Sequence, residues 1–235
     1  MSFIGETLRR PIIYIGILIM ALTTYFAGGN KSAHAAATLP APAVNLPADA
    51  VAKPGELHTA VVAGGCFWCI EGVFDQLAGV TSAVSGYAGG KKETANYDAV
   101  CTGATGHAEA VKITYDPSKI TYGDLLRVLF TVIDPTTKDR QGPDAGTQYR
   151  SAIFYENEDQ KKVAEAYIKQ LNDAKAYPSP IVTTLEPLKP DEFYPAEKYH
   201  QNFVACHLNQ SYVIQEALPK IAKVREKFKD KVKKE

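Results

Sequence analysis

Beyond residue 57 the apolar positions recur with two periods, and the alternation between those periods predicts the fold. His58–Ala63 (HTAVVA) is a short apolar run that stops at Gly64-Gly65, as a buried strand ending in a turn does. Phe67, Ile70, Val73, Phe74 and Leu77 then return at helical spacing until Gly79. Val80–Val84 is a second strand. Residues 85–108, dense in Gly, Ala, Thr and Asn, read as a long loop of the kind that carries function. Ala110–Tyr115 alternates as a strand, and Leu125, Leu126, Leu129, Phe130 and Ile133 mark a helix capped by Thr121 or Ser118. Residues 134–148 form another loop, Ser151–Tyr155 a strand, Asp159–Leu171 a helix and Ile181–Leu185 a last strand. This mixture of hairpin and crossover connections predicts an α+β fold, a ferredoxin-like α/β sandwich with long functional loops. Near the end, Ile221, Val224 and Phe228 place one apolar stripe on a Lys-rich C-terminal helix, with the lysines of 227–234 as its solvated face.

The first 57 residues follow no such pattern. Arg9 and Arg10 precede an apolar run from Pro11 to Phe26, and Ala33-His34-Ala35 supplies small residues in the spacing of a cleavage site. Together these read as an export signal. The run is also about as long as a short membrane span, so an uncleaved N-terminal membrane anchor is the rival. The paired arginines hint at twin-arginine export only weakly, because Pro11 follows them directly. Residues 36–57 carry Pro40, Pro42, Pro47 and Pro54 and read as an Ala/Pro-rich linker. The expected organisation is therefore 1–35 signal peptide or anchor, 36–57 linker, 58–210 the main domain and 211–235 the C-terminal helix. Such a protein is exported, to the periplasm or to a membrane facing it.

Composition narrows the function by exclusion. Lys+Arg and Asp+Glu are both 26, so no basic excess suggests nucleic acid as a partner. The four cysteines, Cys66, Cys69, Cys101 and Cys206, are too few for a disulfide scaffold at this length. Cys66 follows a predicted strand and two glycines and opens a predicted helix. Unpaired N–H groups and the helix dipole there favour a thiolate and a lowered pKa, and the glycines let a substrate approach the backbone. The bland alternative is a small buried hydrophobe. Phe67 and Trp68, the latter the single tryptophan, are either core or the wall of an apolar pocket beside the thiol. Cys69 lies on the same helix face as Cys66, the spacing of a redox pair. A metal site needs two further ligands, and neither the other cysteines nor the histidines show paired spacing, so none is expected.

The stretch Gly64-Gly65-Cys66-Phe67-Trp68 resembles the signature of the A-type peptide methionine sulfoxide reductases. Gly86-Tyr87-Ala88-Gly89-Gly90, Asn96-Tyr97-Asp98 and Gly106-His107-Ala108-Glu109-Ala110-Val111 are similar to later motifs of that family, as are Asp134-Pro135-Thr136 and Gln141-Gly142-Pro143-Asp144. Gly146-Thr147-Gln148-Tyr149-Arg150-Ser151 and Tyr199-His200-Gln201 continue the series in family order, so the resemblance covers about residues 58–203.

The resemblance implies thiol-dependent reduction of methionine-S-sulfoxide, free or in proteins, as repair of oxidised protein. Cys66 is then the nucleophile and is left as a sulfenic acid. Glu109 corresponds to the family's proton donor, which needs an enclosed site that raises its pKa; an exposed edge carboxylate is the alternative. Tyr97 and Tyr149 correspond to the hydroxyls that hold the sulfoxide oxygen, Asp144 to an aspartate that orders water nearby, and Phe67 and Trp68 to the cup for the methyl group. His107 and His200 are structural in this reading, and Cys101 is a packed bystander. Many relatives resolve the sulfenic acid with a tail cysteine after a tyrosine, but here Tyr212 is followed by Val213. Cys69 is the favoured resolving cysteine and Cys206 the alternative. No organic cofactor or metal is required; a thioredoxin-like electron donor is. A non-catalytic binding protein and a general thiol–disulfide exchanger are the competing classes.

Overall fold

The computed structural model describes residues 38–234, except 48, 50, 51 and 54. The apolar run and small-residue site of the expected export signal lie outside the described residues. Among those described, no helix is long and apolar enough to cross a membrane.

Six strands form the main sheet. Four give it its character: β1 (His58–Gly64), β2 (Val80–Ala88), β3 (Ala108–Tyr115) and β6 (Ser151–Tyr155). They lie in the order β6-β1-β3-β2, each antiparallel to its neighbours. In chain order that is fourth, first, third, second, the arrangement of a ferredoxin-like sandwich, with α1 (Phe67–Phe74) and α3 (Tyr122–Val132) as the crossover helices. Between them comes a short α2 (Tyr97–Cys101). Two short pairs of residues, β4 (Arg140–Gln141) and β5 (Asp144–Ala145), make a separate hairpin. After β6 follow α4 (Glu158–Asp173), the parallel edge strand β7 (Thr184–Pro187) and β8 (Tyr194–Pro195) on the opposite edge.

The period of two in the strands separates two apolar layers. Ala60 and Val62 join Val111, Ile113 and Ile153 in the large core under the helices, while Val61 and Ala63 face Ala88, Ala108, Ala110, Ala152 and Phe154 on the other side. Thr121 caps α3 in a reciprocal box with Asp124, as its sequence position predicts. Within the stretch read as a linker, Leu39, Pro40, Leu46 and Asp49 lie against the domain. The Tyr167 hydroxyl donates to the Pro40 carbonyl, the Arg127 guanidinium to that of Leu39, and the Tyr122 N–H to Asp49. Leu46 is buried in the core.

The C-terminal helix α6 (Leu218–Lys227) is preceded by a π-helical turn, Val213–Ala217. Pro219 has no N–H to give the preceding turn, and the widened turn comes just before it. Val224 and Phe228 are buried, as the stripe predicts, and Ile221 packs partly buried against the same core. The last residues return to the end of α1, where Ala78 N–H donates to the Lys231 carbonyl and Lys233 N–H to that of Gln76. The tail is thereby pinned across the end of the helix that Cys66 caps.

Candidate active site

β1 delivers the chain into a turn that only glycine makes at low cost. Gly65 has φ +89°, and a Cβ there would lie 2.6 Å from the Gln141 Cβ. Gln141 is buried and bonds both ways to the main chain of Asp134, so it is fixed against the turn. Gly65 therefore serves the turn and close packing.

Cys66 occupies the N-cap of α1, with φ −54° and ψ 124°, and is 7% exposed. The first N–H of the helix, that of Phe67, donates to Glu109 Oε2 at 3.0 Å. Glu109 arrives from β3, paired opposite Tyr87 of β2. It points to the same face as Val111, Ile113 and Tyr115, all core residues, which explains why it is only 2% exposed. Burial pushes its carboxyl up to about 8, with the Asp144 charge adding to the rise and the Phe67 N–H opposing it. At neutral pH Glu109 is a protonated acid beside the Cys66 thiol.

The thiols depart from the sequence expectation. Burial pushes Cys66 up, outweighing the short helix behind it, and the bond its S–H gives to Cys69 reinforces this. Cys69 moves down, first because it receives that bond and also because Lys220 lies near it. The resting site therefore holds Cys66 as a thiol. Cys66 is the N-cap and its carbonyl accepts from Cys69 N–H at 3.2 Å, so the two cysteines share the first turn at the helix end.

Aromatic side chains wall the site. Trp68 stacks on Phe203 with centroids 3.7 Å apart and donates its indole N–H to His200 Nδ1 at 3.1 Å. That bond fixes His200 as the Nε2–H tautomer, and burial pushes its pKa down, so it is a neutral support. His107, which accepts from Gly90 N–H and sits 3.0 Å from the Lys91 carbonyl, is likewise structural. Phe67 is buried beneath the site at 1% exposure, against Tyr87 and His200, whereas Trp68 is partly exposed. Tyr97 and Tyr149 lie close enough to Glu109 and Cys66 for those charges to raise their pKa, after burial as the main cause.

Cys66, Cys69, Glu109, Tyr97, Tyr149, Asp144 and Trp68 thus come together at one end of the sheet. Cys101 is exposed and its thiol bonds the Tyr97 hydroxyl, so it sits on the rim of the site and not in packing. Cys206 is exposed on α5 (Phe203–Cys206). Three supports escaped the sequence reading. Glu71, 1% exposed on α1, accepts from Asn202 N–H and the Ser85 hydroxyl. Glu197 accepts from the Tyr87 hydroxyl and Tyr97 N–H. Tyr212, noted in sequence only for the valine after it, donates to Asp144 Oδ2 at 2.6 Å. A charged residue at an apolar helix position, as Glu71 is, was the one available cue. Among the described residues, no group of three or more His, Cys, Asp or Glu side chains is arranged to hold a metal ion.

Comparison with known proteins places this geometry. The family model described as peptide methionine sulfoxide reductase matches residues 58–232, including the C-terminal helix. The chain is 55% identical over 181 residues to peptide methionine sulfoxide reductase MsrA 2 of Mesorhizobium japonicum, covering 77% of this chain and 91% of that one. It is 51% identical over 176 residues to MsrA of Thermus thermophilus, covering 75% and 97%. Reduced Mxr1 from Saccharomyces cerevisiae superposes with a TM-score of 0.58 at 32% identity, over 68% of this chain and 90% of that one. Methionine sulfoxide reductase A of Corynebacterium diphtheriae gives 0.57 at 33% identity, over 67% and 78%.

Proposed function

The chain belongs to the peptide methionine sulfoxide reductase family, and on that premise we propose that Cys66 is the thiol that takes oxygen from the sulfur of an oxidised methionine. The protein is an enzyme that reduces methionine sulfoxide through a catalytic cysteine. The observation that carries the residue assignment is the buried, protonated Glu109 one N–H away from Cys66. A sulfoxide oxygen leaves sulfur only if it is protonated, and this carboxyl is the neutral acid at hand.

In the first step the Cys66 sulfur attacks the sulfoxide sulfur while Glu109 gives its proton to the oxygen, and the proton of the Cys66 thiol restores the acid. Oxygen passes to Cys66, whose sulfur is oxidised by two electrons to a sulfenic acid as the methionine sulfur is reduced by two. Tyr97 and Tyr149 hold the oxygen, and Trp68 receives the methyl group. In the second step Cys69 displaces the oxygen as water and leaves a Cys66–Cys69 disulfide. Its bond to Cys66 supports Cys69 over the exposed Cys206. An external dithiol protein of thioredoxin type then reduces the disulfide. The preferred epimer is the S-sulfoxide, and the substrate is methionine sulfoxide, free or in proteins.

Export rests on the charged, apolar and small-residue order of residues 9–35. If the segment is a cleaved signal, N-terminal sequencing of protein recovered outside the cytoplasm begins near residue 36; a start at Met1 overturns cleavage. The reaction is tested with an oxidised methionine peptide, each sulfur epimer and dithiothreitol. The S epimer is turned over and Cys66→Ser abolishes it; turnover surviving in Cys66→Ser refutes the assignment.

A further inference from the structure

The tail that lacks a cysteine after Tyr212 still reaches the sulfur pair, through the hydroxyl of that tyrosine. The Cys69 thiol donates to Tyr212 Oη at 3.9 Å, and the Tyr212 hydroxyl donates to Asp144 Oδ2 at 2.6 Å. Both bonds point the same way, from the buried thiol toward a carboxylate. Cys69 is fully buried and Asp144 is partly exposed, so the line runs from the interior to water. Tyr212 is held for this geometry from two sides. Its ring meets Trp68 edge-on at 5.9 Å, and the π-helical turn begins at the next residue, where the tail docks on α1. Cys101 and Cys206 are both exposed, so neither starts such a line from the interior.

We propose that Tyr212 is a catalytic proton relay for the resolving step, carrying the Cys69 thiol proton to Asp144 as Cys69 attacks the oxidised Cys66. The inference rests on the reading of Cys69 as resolving cysteine. In that step the S–O bond of the Cys66 sulfenic acid breaks and an S–S bond forms. The Cys66 sulfur gains the electrons that the Cys69 sulfur gives up. The thiol proton passes through Tyr212 to Asp144 while the protonated Glu109 beside Cys66 gives its proton to the departing hydroxide, so water leaves; Asp144 then returns its proton to Glu109 through solvent, and no outside oxidant or reductant is consumed.

The test is a rapid-quench single turnover of the full chain with one equivalent of oxidised methionine peptide. Methionine appearance, sulfenic acid captured by a cyclic diketone, and disulfide by mass spectrometry are followed separately. Tyr212→Phe keeps the ring against Trp68 and removes only the hydroxyl. It is expected to lower the ratio of the disulfide-forming rate to the oxygen-transfer rate by about a hundredfold, within the range for proton-transfer catalysis, so that sulfenic acid accumulates. Asp144→Asn, which keeps an acceptor without the charge, is expected to lower the same ratio at least tenfold, and it carries the test if the tyrosine variant does not fold. A ratio within threefold of wild type in both variants overturns the relay, as does an equal slowing of both steps. Cys69→Ser separates the underlying reading: if it still forms an internal disulfide at the wild-type rate, Cys69 is not the resolving cysteine and the relay falls with it.

Discussion

Replacing Glu109 by Gln isolates the group on which the proposed first step depends. Gln keeps the shape and an oxygen for the Phe67 N–H, so the 3.0 Å bond survives while the proton and the charge are lost. The wild-type carboxyl stands at about 8 in the fold against an ordinary 4.5. A carboxyl raised by folding supports the fold fully below its unfolded pKa, and that support is lost as pH rises through the folded value. At ~1.4 kcal/mol per pH unit, wild type should lose roughly 4–5 kcal/mol relative to Glu109→Gln between about pH 5 and pH 8 or above. Urea unfolding of both proteins at pH 5, 7 and 9 measures that difference, and the comparison cancels every other titrating group. The same variant should slow single-turnover oxygen transfer by about 10²–10⁴-fold. Wild-type transfer should fall as pH rises through about 8, because the acid is then ionised. Parallel stability curves from pH 5 to 9, or an unslowed first turnover in the variant, would refute the argument that burial keeps this acid protonated.

Cys69→Ser should complete one round of sulfoxide reduction and then stop with a thioredoxin-type donor, read as methionine released per enzyme; normal recycling in that variant with loss in Cys206→Ser reverses the assignment of the resolving thiol. Gly65→Ala should cost about 1–3 kcal/mol in urea unfolding, since its φ of +89° and a Cβ 2.6 Å from Gln141 combine strain with a clash. Glu71, pushed up to about 7 chiefly by burial, ionises as pH rises through that value and then holds Asn202 and Ser85 more firmly. Trp68, stacked on the adjacent Phe203, should report this as a fluorescence change centred near pH 7 that Glu71→Gln removes; an unchanged titration in the variant would show another group to be responsible.

The strands β1, β3 and β6 were legible because each alternates between two buried layers, and Thr121 announced α3 by its capping box. The stretch 85–108 was not. β2 continues to Ala88 through Ser85, Gly86 and Tyr87 without alternation of apolar and polar positions, and α2 buries only Val100, so neither shows a period long enough to read. The strand expected at 181–185 lies instead at Thr184–Pro187, on a sheet edge where a proline is tolerated. β4, β5 and β8 are two residues each, below any periodicity. In the site, chemical roles came from motifs, whereas the supports came only from the fold. Glu197 and Tyr212 reach their partners across 100 and 68 residues of sequence.

The direction of the Cys66 shift changes how the nucleophile is made. A helix N-terminus alone would keep a standing thiolate, open to any electrophile. Burial reverses that, and with Glu109 also protonated the resting pair carries no charge. Attack requires one proton to leave the thiol and one to reach the sulfoxide oxygen. A neutral Glu109 at the head of the same helix can do both, giving its proton to the oxygen and taking the one released by sulfur, so the site returns to neutrality after each transfer. The substrate's own polarised S–O bond therefore supplies the trigger. It follows that simple alkylating agents, which offer no oxygen to protonate, should modify Cys66 slowly, and an alkylation rate at pH 7 matching that of an exposed thiol such as Cys206 would contradict this account.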